Sequence, residues 1–331
     1  MENALQIVGA DLSKKTIDLR IHQAKDGIRI ENSSTGFKQM MTWLRRTTKD
    51  LSGIIVVMEH TGLYSFCFEK FLFEKGIRFS KVNPIDIKFT IGFTRGKSDK
   101  IDAARIARYG AEKQGSLPIQ TPTSKALEGL KMLSTSREKL VRTRASLKTS
   151  VEEFRNIGMS DREPPIKAQL KVIKSLDKEI KILDDQIQST IQKEKELKQT
   201  YTLLTSIPSV GAVVATNVII KTGNFKRFPN SRKFSCYCGI APFEHTSGTS
   251  IRGKTRVNHM ADKSMKTLLD LAAKTAIRCD PEIRDFFQSR TAAGKPKMST
   301  INIVRNKIVG RIFAVAKRQT PYVIAGSLQA A

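Results

Sequence analysis

The sequence predicts an α/β plus α protein in three segments. Three patterns carry that expectation. Strand-length apolar runs alternate with helical spacing over residues 1–118, apolar residues recur in heptads over 119–200, and 201–331 is a short, basic, mostly helical stretch. At 331 residues the chain exceeds what one small core organises, and 40% hydrophobic content supplies apolar material for more than one.

The first segment opens with an apolar run, residues 6–10, that stops at Asp11. Thr16–Ile21 alternates apolar and polar residues, as a half-buried strand does, and residues 29–31 add a third strand. Residues 36–46 set Phe37, Met40, Met41 and Leu44 at helical spacing. Residues 54–58 are continuously apolar, which suits a strand buried on both faces. A helix is expected at 64–75, a strand at 79–82 and a helix at 98–114. A β-meander followed by alternating strands and helices reads as a mixed sheet.

In the second segment Leu133, Leu140, Leu147 and Phe154 recur every seven residues. After a break at 156–165, Ile173, Leu176, Ile180, Leu183, Ile187 and Ile191 keep heptad steps. Gly158, Pro164 and Pro165 suit a turn between antiparallel helices. Two such seams satisfy each other within one chain or build a coiled coil between chains, and the pattern alone does not choose. In the third segment residues 204–219 resemble a helix-hairpin-helix, whose tight turn exposes backbone N–H groups to a DNA phosphate. Ser209 stands where the first hairpin glycine is expected, and a plain packing turn is the other reading.

Charge narrows the partners. The chain holds 58 Lys+Arg against 31 Asp+Glu, a net charge of +27, and residues 221–331 alone hold 21 against 6. That surplus repels itself in the folded state unless a polyanion absorbs it, so nucleic acid is the expected partner and an anionic membrane surface its competitor. No stretch approaches the roughly 18 apolar residues of a membrane span. Met1-Glu2-Asn3 begins neither a basic nor an apolar leader, so a cytoplasmic location is expected. The four cysteines, Cys67, Cys236, Cys238 and Cys279, include one C-x-C but no second pair, which points to core thiols rather than a zinc site.

Four acids carry the chemistry of the first segment. Asp11 sits just beyond the first strand, Glu59 ends the buried run, and Asp99 and Asp102 lie three apart on one face at the start of a helix. Adjacent strand ends meet at one edge of such a sheet, and a docked helix adds two carboxylates there. Four clustered carboxylates repel unless divalent cations neutralise them, and magnesium prefers oxygen ligands. Two such ions stabilise the attacking and leaving oxygens at a phosphodiester, the ribonuclease-H-like, RuvC-type arrangement. Singly, each acid has a simpler role as a turn cap, a surface residue or a helix N-terminal acid. Asp18 falls on an alternating strand and is expected to be solvated.

The third segment also contains a loop, Gly239-Ile240-Ala241-Pro242-Phe243-Glu244-His245-Thr246-Ser247-Gly248-Thr249-Ser250, followed by Arg252 and Lys254. A serine attacks phosphorus once its proton is removed and cations neutralise the developing phosphorane. A Ser-Gly turn in a DNA-contacting loop explains the same residues. His245 has the chemistry of a base but equally that of a solvated or phosphate-contacting side chain.

With these residues in view, the sequence resembles the DEDD transposases of insertion sequences, whose relatives are the Piv/MooV-type DNA invertases and bridge-RNA-guided recombinases. Its anchors are Val8-Gly9-Ala10-Asp11, Met58-Glu59-His60-Thr61-Gly62, Lys97-Ser98-Asp99-Lys100-Ile101-Asp102-Ala103, Ile207-Pro208-Ser209-Val210-Gly211, Gly239-Ile240-Ala241-Pro242 and Ser247-Gly248, over nearly the whole chain. The resemblance implies an RNase-H-like (RuvC-like) catalytic domain over 1–118, a helical coiled-coil insertion over 119–200 and a C-terminal transposase domain over 201–331. It implies Mg2+ at Asp11, Glu59, Asp99 and Asp102, and Ser247 as the nucleophile linked to a DNA 5′-phosphate, with Ser250 a rival in the same loop. It further implies a homo-oligomer, dimer or tetramer, in the bacterial cytoplasm, with a structured guide RNA in some members. Where many relatives carry Gly-Asn and Leu-Arg pairs after the serine loop, this chain reads Asp262-Lys263-Ser264-Met265-Lys266. The competing functions are a junction nuclease that activates water and a non-catalytic nucleic-acid-binding protein.

Overall fold

In a computed structural model the chain forms two compact units, Met1–Pro122 and Thr123–Ala331. The structure describes residues 5–48, 50–60, 62, 64–92, 99–120, 124–247, 251–258 and 260–323, with backbone alone at 245–247, 251, 252 and 254.

The first unit is a five-stranded mixed sheet between two helical layers. Its strands are β1 (Gln6–Leu12), β2 (Thr16–Ile21), β3 (Gly27–Glu31), β4 (Ile54–Glu59) and β5 (Arg78–Val82), in the order β3-β2-β1-β4-β5. β1, β2 and β3 form an antiparallel meander, and β4 runs parallel to both β1 and β5. The helices are α1 (Ser34–Thr47), α2 (Phe66–Glu74), α3 (Pro84–Ile91) and α4 (Asp99–Glu112). Strand alternation sorts the side chains between two faces. Val8, Ala10, Leu19, Val56, Met58 and Phe79 pack with Phe37, Met40 and Leu44 of α1 and Phe68 and Leu72 of α2. Ile7, Ile55, Val57 and Val82 pack on the other face with Ile87 of α3 and Ile106 and Tyr109 of α4.

The mixed sheet is the one the sequence predicts, with three differences. β1 continues through Leu12, so Asp11 lies inside the strand, held by pairing opposite Asp18. α3 was not expected, because only Ile87 of its eight residues is buried; its signals are local, Asn83 accepting from Ile85 N at 3.0 Å and Pro84 in the first turn. Asp18 is buried, 3% exposed, where solvation was expected, because the sheet face it shares with Asp11 is covered by α4.

The second unit begins with a helical hairpin. α5 (Lys125–Asn156) and α6 (Pro164–Lys193) run antiparallel within one chain, tied by Arg137–Asp184 at 2.5 Å and Arg144–Asp177 at 2.6 Å. Their heptads meet, burying Ile173, Ile180 and Ile187, and the tip has its own cluster of Val151, Ile166 and Ile173. At the base, Leu127, Leu130, Ile187 and Ile191 enter the core of the helices that follow, so the hairpin shares a compact unit with them. These are α7 (Lys195–Thr205), which spans the expected boundary at 200, α8 (Ala212–Thr222), α9 (Ser231–Tyr237), α10 (Lys263–Cys279), α11 (Pro281–Ala292) and α12 (Lys297–Arg318). Between α9 and α10 lie β6 (Pro242–Ser247) and β7 (Ile251–Val257), an antiparallel ribbon where the sequence suggested a loop. Cys238 is the one fully buried cysteine among four expected in the core; Cys67 and Cys279 are exposed. No helix among the described residues is long and apolar enough to cross a membrane.

Candidate active site

The acid cluster is built by register and by two glycines. Ala10 of β1 stands opposite Met58 of β4, so Asp11 and Glu59 are the next residues along two parallel neighbours. Asp11 lies two residues after Gly9 and Glu59 two after Val57, so both belong to the sheet face that α4 covers. A Cβ at Gly9 would lie 2.1 Å from the carbonyl oxygen of Ala103 and 2.4 Å from the amide of Ala107, so only glycine lets α4 lie this close to β1. One helical turn on, a Cβ at Gly110 would lie 2.6 Å from the Ile7 side chain and 2.7 Å from that of Val57. Later residues of α4 thus meet earlier residues of β1. The helix runs antiparallel to the strand, and its first turn, with Asp99 and Asp102, comes to the Asp11 end.

Electrostatics records the convergence. The Asp11 carboxyl is pushed up to about 6, by burial first and then by Asp102, Asp99 and Asp18, with Arg29 opposing. Glu59 is raised by burial, then by Asp11 and Asp102. The four acids therefore feel one another across elements far apart in sequence. Two are engaged by arginines: Asp102 by Arg105 at 2.8 Å, and Asp99 by Arg29 at 2.7 Å. Arg29 Nε also donates to both oxygens of buried Asp18, at 3.1 and 2.9 Å. Among the described residues no three His, Cys, Asp or Glu side chains close around a common point suited to a metal ion. The donor set itself, four carboxylates on one sheet edge, suits a hard divalent cation. Arg29 and Asp18, outside the sequence-based set, were legible only as an opposed pair on neighbouring strands.

The loop around Glu59 is held from below. Ser65, fully buried, donates to Glu69 Oε1 at 2.5 Å, Lys81 Nζ reaches the same oxygen at 2.6 Å, and Asn32 Nδ2 donates to the carbonyls of Ser13 and Tyr64. Thr61, Lys97 and Ser98 of the sequence motifs lie outside the described residues.

In the second unit Ser247 ends β6, its backbone opposite Ile251. Gly248 and Ser250 lie outside the described residues, and only backbone is described for His245 and Ser247. The base of this ribbon is tied down. Asn302 and Asn306 of α12 both donate to the carbonyl of Ile240 at 2.9 Å, and Gly239, at φ +65, approaches Ala261 so closely that a Cβ would lie 2.3 Å away. Asp262 caps α10 through Met265 N at 2.9 Å and accepts from Lys221 Nζ at 2.7 Å and Tyr237 Oη at 2.8 Å. Burial works against its charge, yet Lys221, the Met265 amide and Tyr237 hold the carboxyl below its ordinary value. Phe243, 45% exposed, has the Arg232 guanidinium 5.6 Å from its ring centroid. The hairpin-like turn ahead of α8 places Ser209 at φ +74, a backbone region that favours glycine, and Gly211 caps α8 without a side chain.

Comparisons with known proteins agree on the family. A model described as transposase, of the DEDD type of IS110 elements, matches residues 8–154, and the transposase IS116/IS110/IS902 family model matches residues 201–288. The pilin gene-inverting protein of Moraxella bovis is 25% identical over 321 residues, covering 95% of this chain and 97% of that protein. The transposase for insertion sequence element IS1328 of Yersinia enterocolitica is 24% identical over 219 residues, 59% of this chain and 63% of that one. Among solved structures, T. thermophilus RuvC in complex with Holliday junction substrate aligns at 12% identity and a TM-score of 0.28, covering 35% of this chain and 99% of that one.

Proposed function

Because the chain belongs to the DEDD-type insertion-sequence transposases, we propose that it cuts and rejoins DNA through a serine–DNA phosphodiester intermediate, using Mg2+ held by Asp11, Glu59, Asp99 and Asp102. The observation that carries this reading is the convergence of those four acids, from β1, β4 and α4, through the close approach at Gly9. When bound there, divalent cations neutralise the charge that builds on the scissile phosphate and its leaving oxygen. The protein's part is positional. Asp11 and Glu59 are fixed by strand register, Asp99 and Asp102 by the first turn of α4. The mixed sheet, with its antiparallel meander and parallel continuation, supports the RNase-H-like assignment.

In the proposed step the Ser247 hydroxyl gives up its proton as its oxygen bonds to phosphorus, the bond from phosphorus to the 3′ oxygen breaks, and that oxygen takes up a proton. The 5′-phosphate stays on the serine. Attack by a 3′ hydroxyl reverses the balance and releases the serine, so no external energy is needed for joining. The exposed Phe243 and the Arg232 beside it suit contact with a nucleic-acid strand next to that serine. In the proposed assembly a homo-oligomer brings one chain's acids to another's serine through the α5–α6 hairpin, and a structured guide RNA held beside the DNA suits the +27 charge.

A denaturing gel of the protein incubated with Mg2+ and DNA carrying its element's ends tests the proposal. A protease-sensitive protein–DNA adduct is expected from the wild type and none from Ser247→Ala, with DNA binding retained. An adduct that survives the substitution moves the nucleophile, Ser250 being examined next. Metal-dependent nicking with no adduct supports the water-activating nuclease instead.

A further inference from the structure

We infer that Arg29, anchored by the buried carboxylate of Asp18, is a positioning residue of the acid cluster that holds Asp99 in place of a cation and releases it when a divalent ion binds. The inference rests on the metal-binding reading above.

A fifth carboxylate beside four others is costly unless it has work to do. Asp18 lies directly across the ladder from Asp11 and is 3% exposed, so it suffers both desolvation and repulsion. Its compensation is Arg29, opposite it on β3, whose Nε reaches both carboxylate oxygens. That contact fixes the plane of the guanidinium, whose Nη2, 2.9 Å from Asp18 Oδ2, also donates to Asp99 at 2.7 Å.

The two halves of this bridge differ. The Asp18 side chain is 5% exposed, whereas those of Arg29 and Asp99 are 50% and 58% exposed. Exposed ion pairs are weak and exchange readily, while a partner anchored to a buried charge stays in place. The link to Asp18 is thus the anchor, and the link to Asp99 the part that opens. It also explains why the acids gather on one edge without closing on a common point. Arg29 holds Asp99 with a positive charge that also opposes the mutual repulsion felt at Asp11.

Calorimetric titration of the full-length, DNA-free chain with Mn2+ tests this without recourse to activity. Arg29→Gln frees Asp99 and should tighten Mn2+ binding by about tenfold, from the removed competing charge. Asp18→Asn/Arg29→Gln leaves the net charge of the pair unchanged and no buried carboxylate unpaired, and should also bind more tightly than wild type. If Arg29 merely supports the fold, or pre-forms the metal site, both variants bind equally or more weakly, and the inference falls. Circular dichroism melting of the double variant establishes that it is folded. A wild type that takes up no Mn2+ removes the metal-binding reading and this inference with it, a result distinct from weakened binding in the variants.

Discussion

At the scale of single residues, the site depends on positions with no chemistry of their own. Gly9→Ala would press a methyl group into the Ala103 carbonyl, so α4 must lift from β1. The expected cost is about 3 kcal/mol in a urea unfolding curve, with loss of cation binding, since Asp99 and Asp102 ride on the displaced helix. Asp11 sets the pH response. Its folded value of about 6 exceeds the ordinary 3.8, so the folded metal-free chain binds this proton more tightly than the unfolded chain does. Stability should therefore rise as pH falls from above 6 towards 4, relative to Asp11→Asn, in melts with a chelator present. Cation affinity should move the other way, falling about tenfold per pH unit below 6, because the ligand must be ionised. At Ser209 the strain of φ +74 is relieved by Ser209→Gly, which should raise stability by about 1 kcal/mol. The four acids were legible in the sequence because Asp11 and Glu59 each follow an apolar run and Asp99 and Asp102 share the first turn of a helix. Asp18 was not, since its burial arises from a helix docked across the sheet from 80 residues downstream.

At the scale of elements, helices and buried strands were readable from periodicity, and elements that rely on neighbours were not. α1 and the long α5 and α6 carry unbroken apolar spacing, and α1 and α5 add capping side chains, Ser33 and Ser124. α3 buries only Ile87, and β6–β7 is a two-stranded ribbon without a continuous apolar face, so neither left a periodic signal. The ribbon instead takes its position from outside itself, from Asn302, Asn306 and the Asp262 cluster. Asp262→Ala removes the cap of α10 and the partner of Lys221 and Tyr237 together, and should cost about 2 kcal/mol by urea denaturation. The heptads announced two helices that pair; that the pairing is satisfied within one chain follows from the antiparallel ion pairs Arg137–Asp184 and Arg144–Asp177, which a heptad count does not contain.

At the scale of the whole molecule, two compact units carry the two halves of the proposed chemistry, carboxylates in Met1–Pro122 and the serine in Thr123–Ala331. The charge of +27 makes DNA binding steeply salt-dependent: duplex affinity should fall at least about 100-fold between 50 and 200 mM salt, as counterion release by several phosphate contacts requires. The central claim is narrower, that acids distant in the chain share a divalent cation. Its most direct test is an anomalous difference map at the manganese edge from crystals of the wild-type protein grown with Mn2+. A peak bounded by Asp11, Glu59, Asp99 and Asp102, with Arg29 withdrawn from Asp99, is the predicted result. A map with no peak among these carboxylates, from crystals in which Mn2+ is bound elsewhere, would contradict the account.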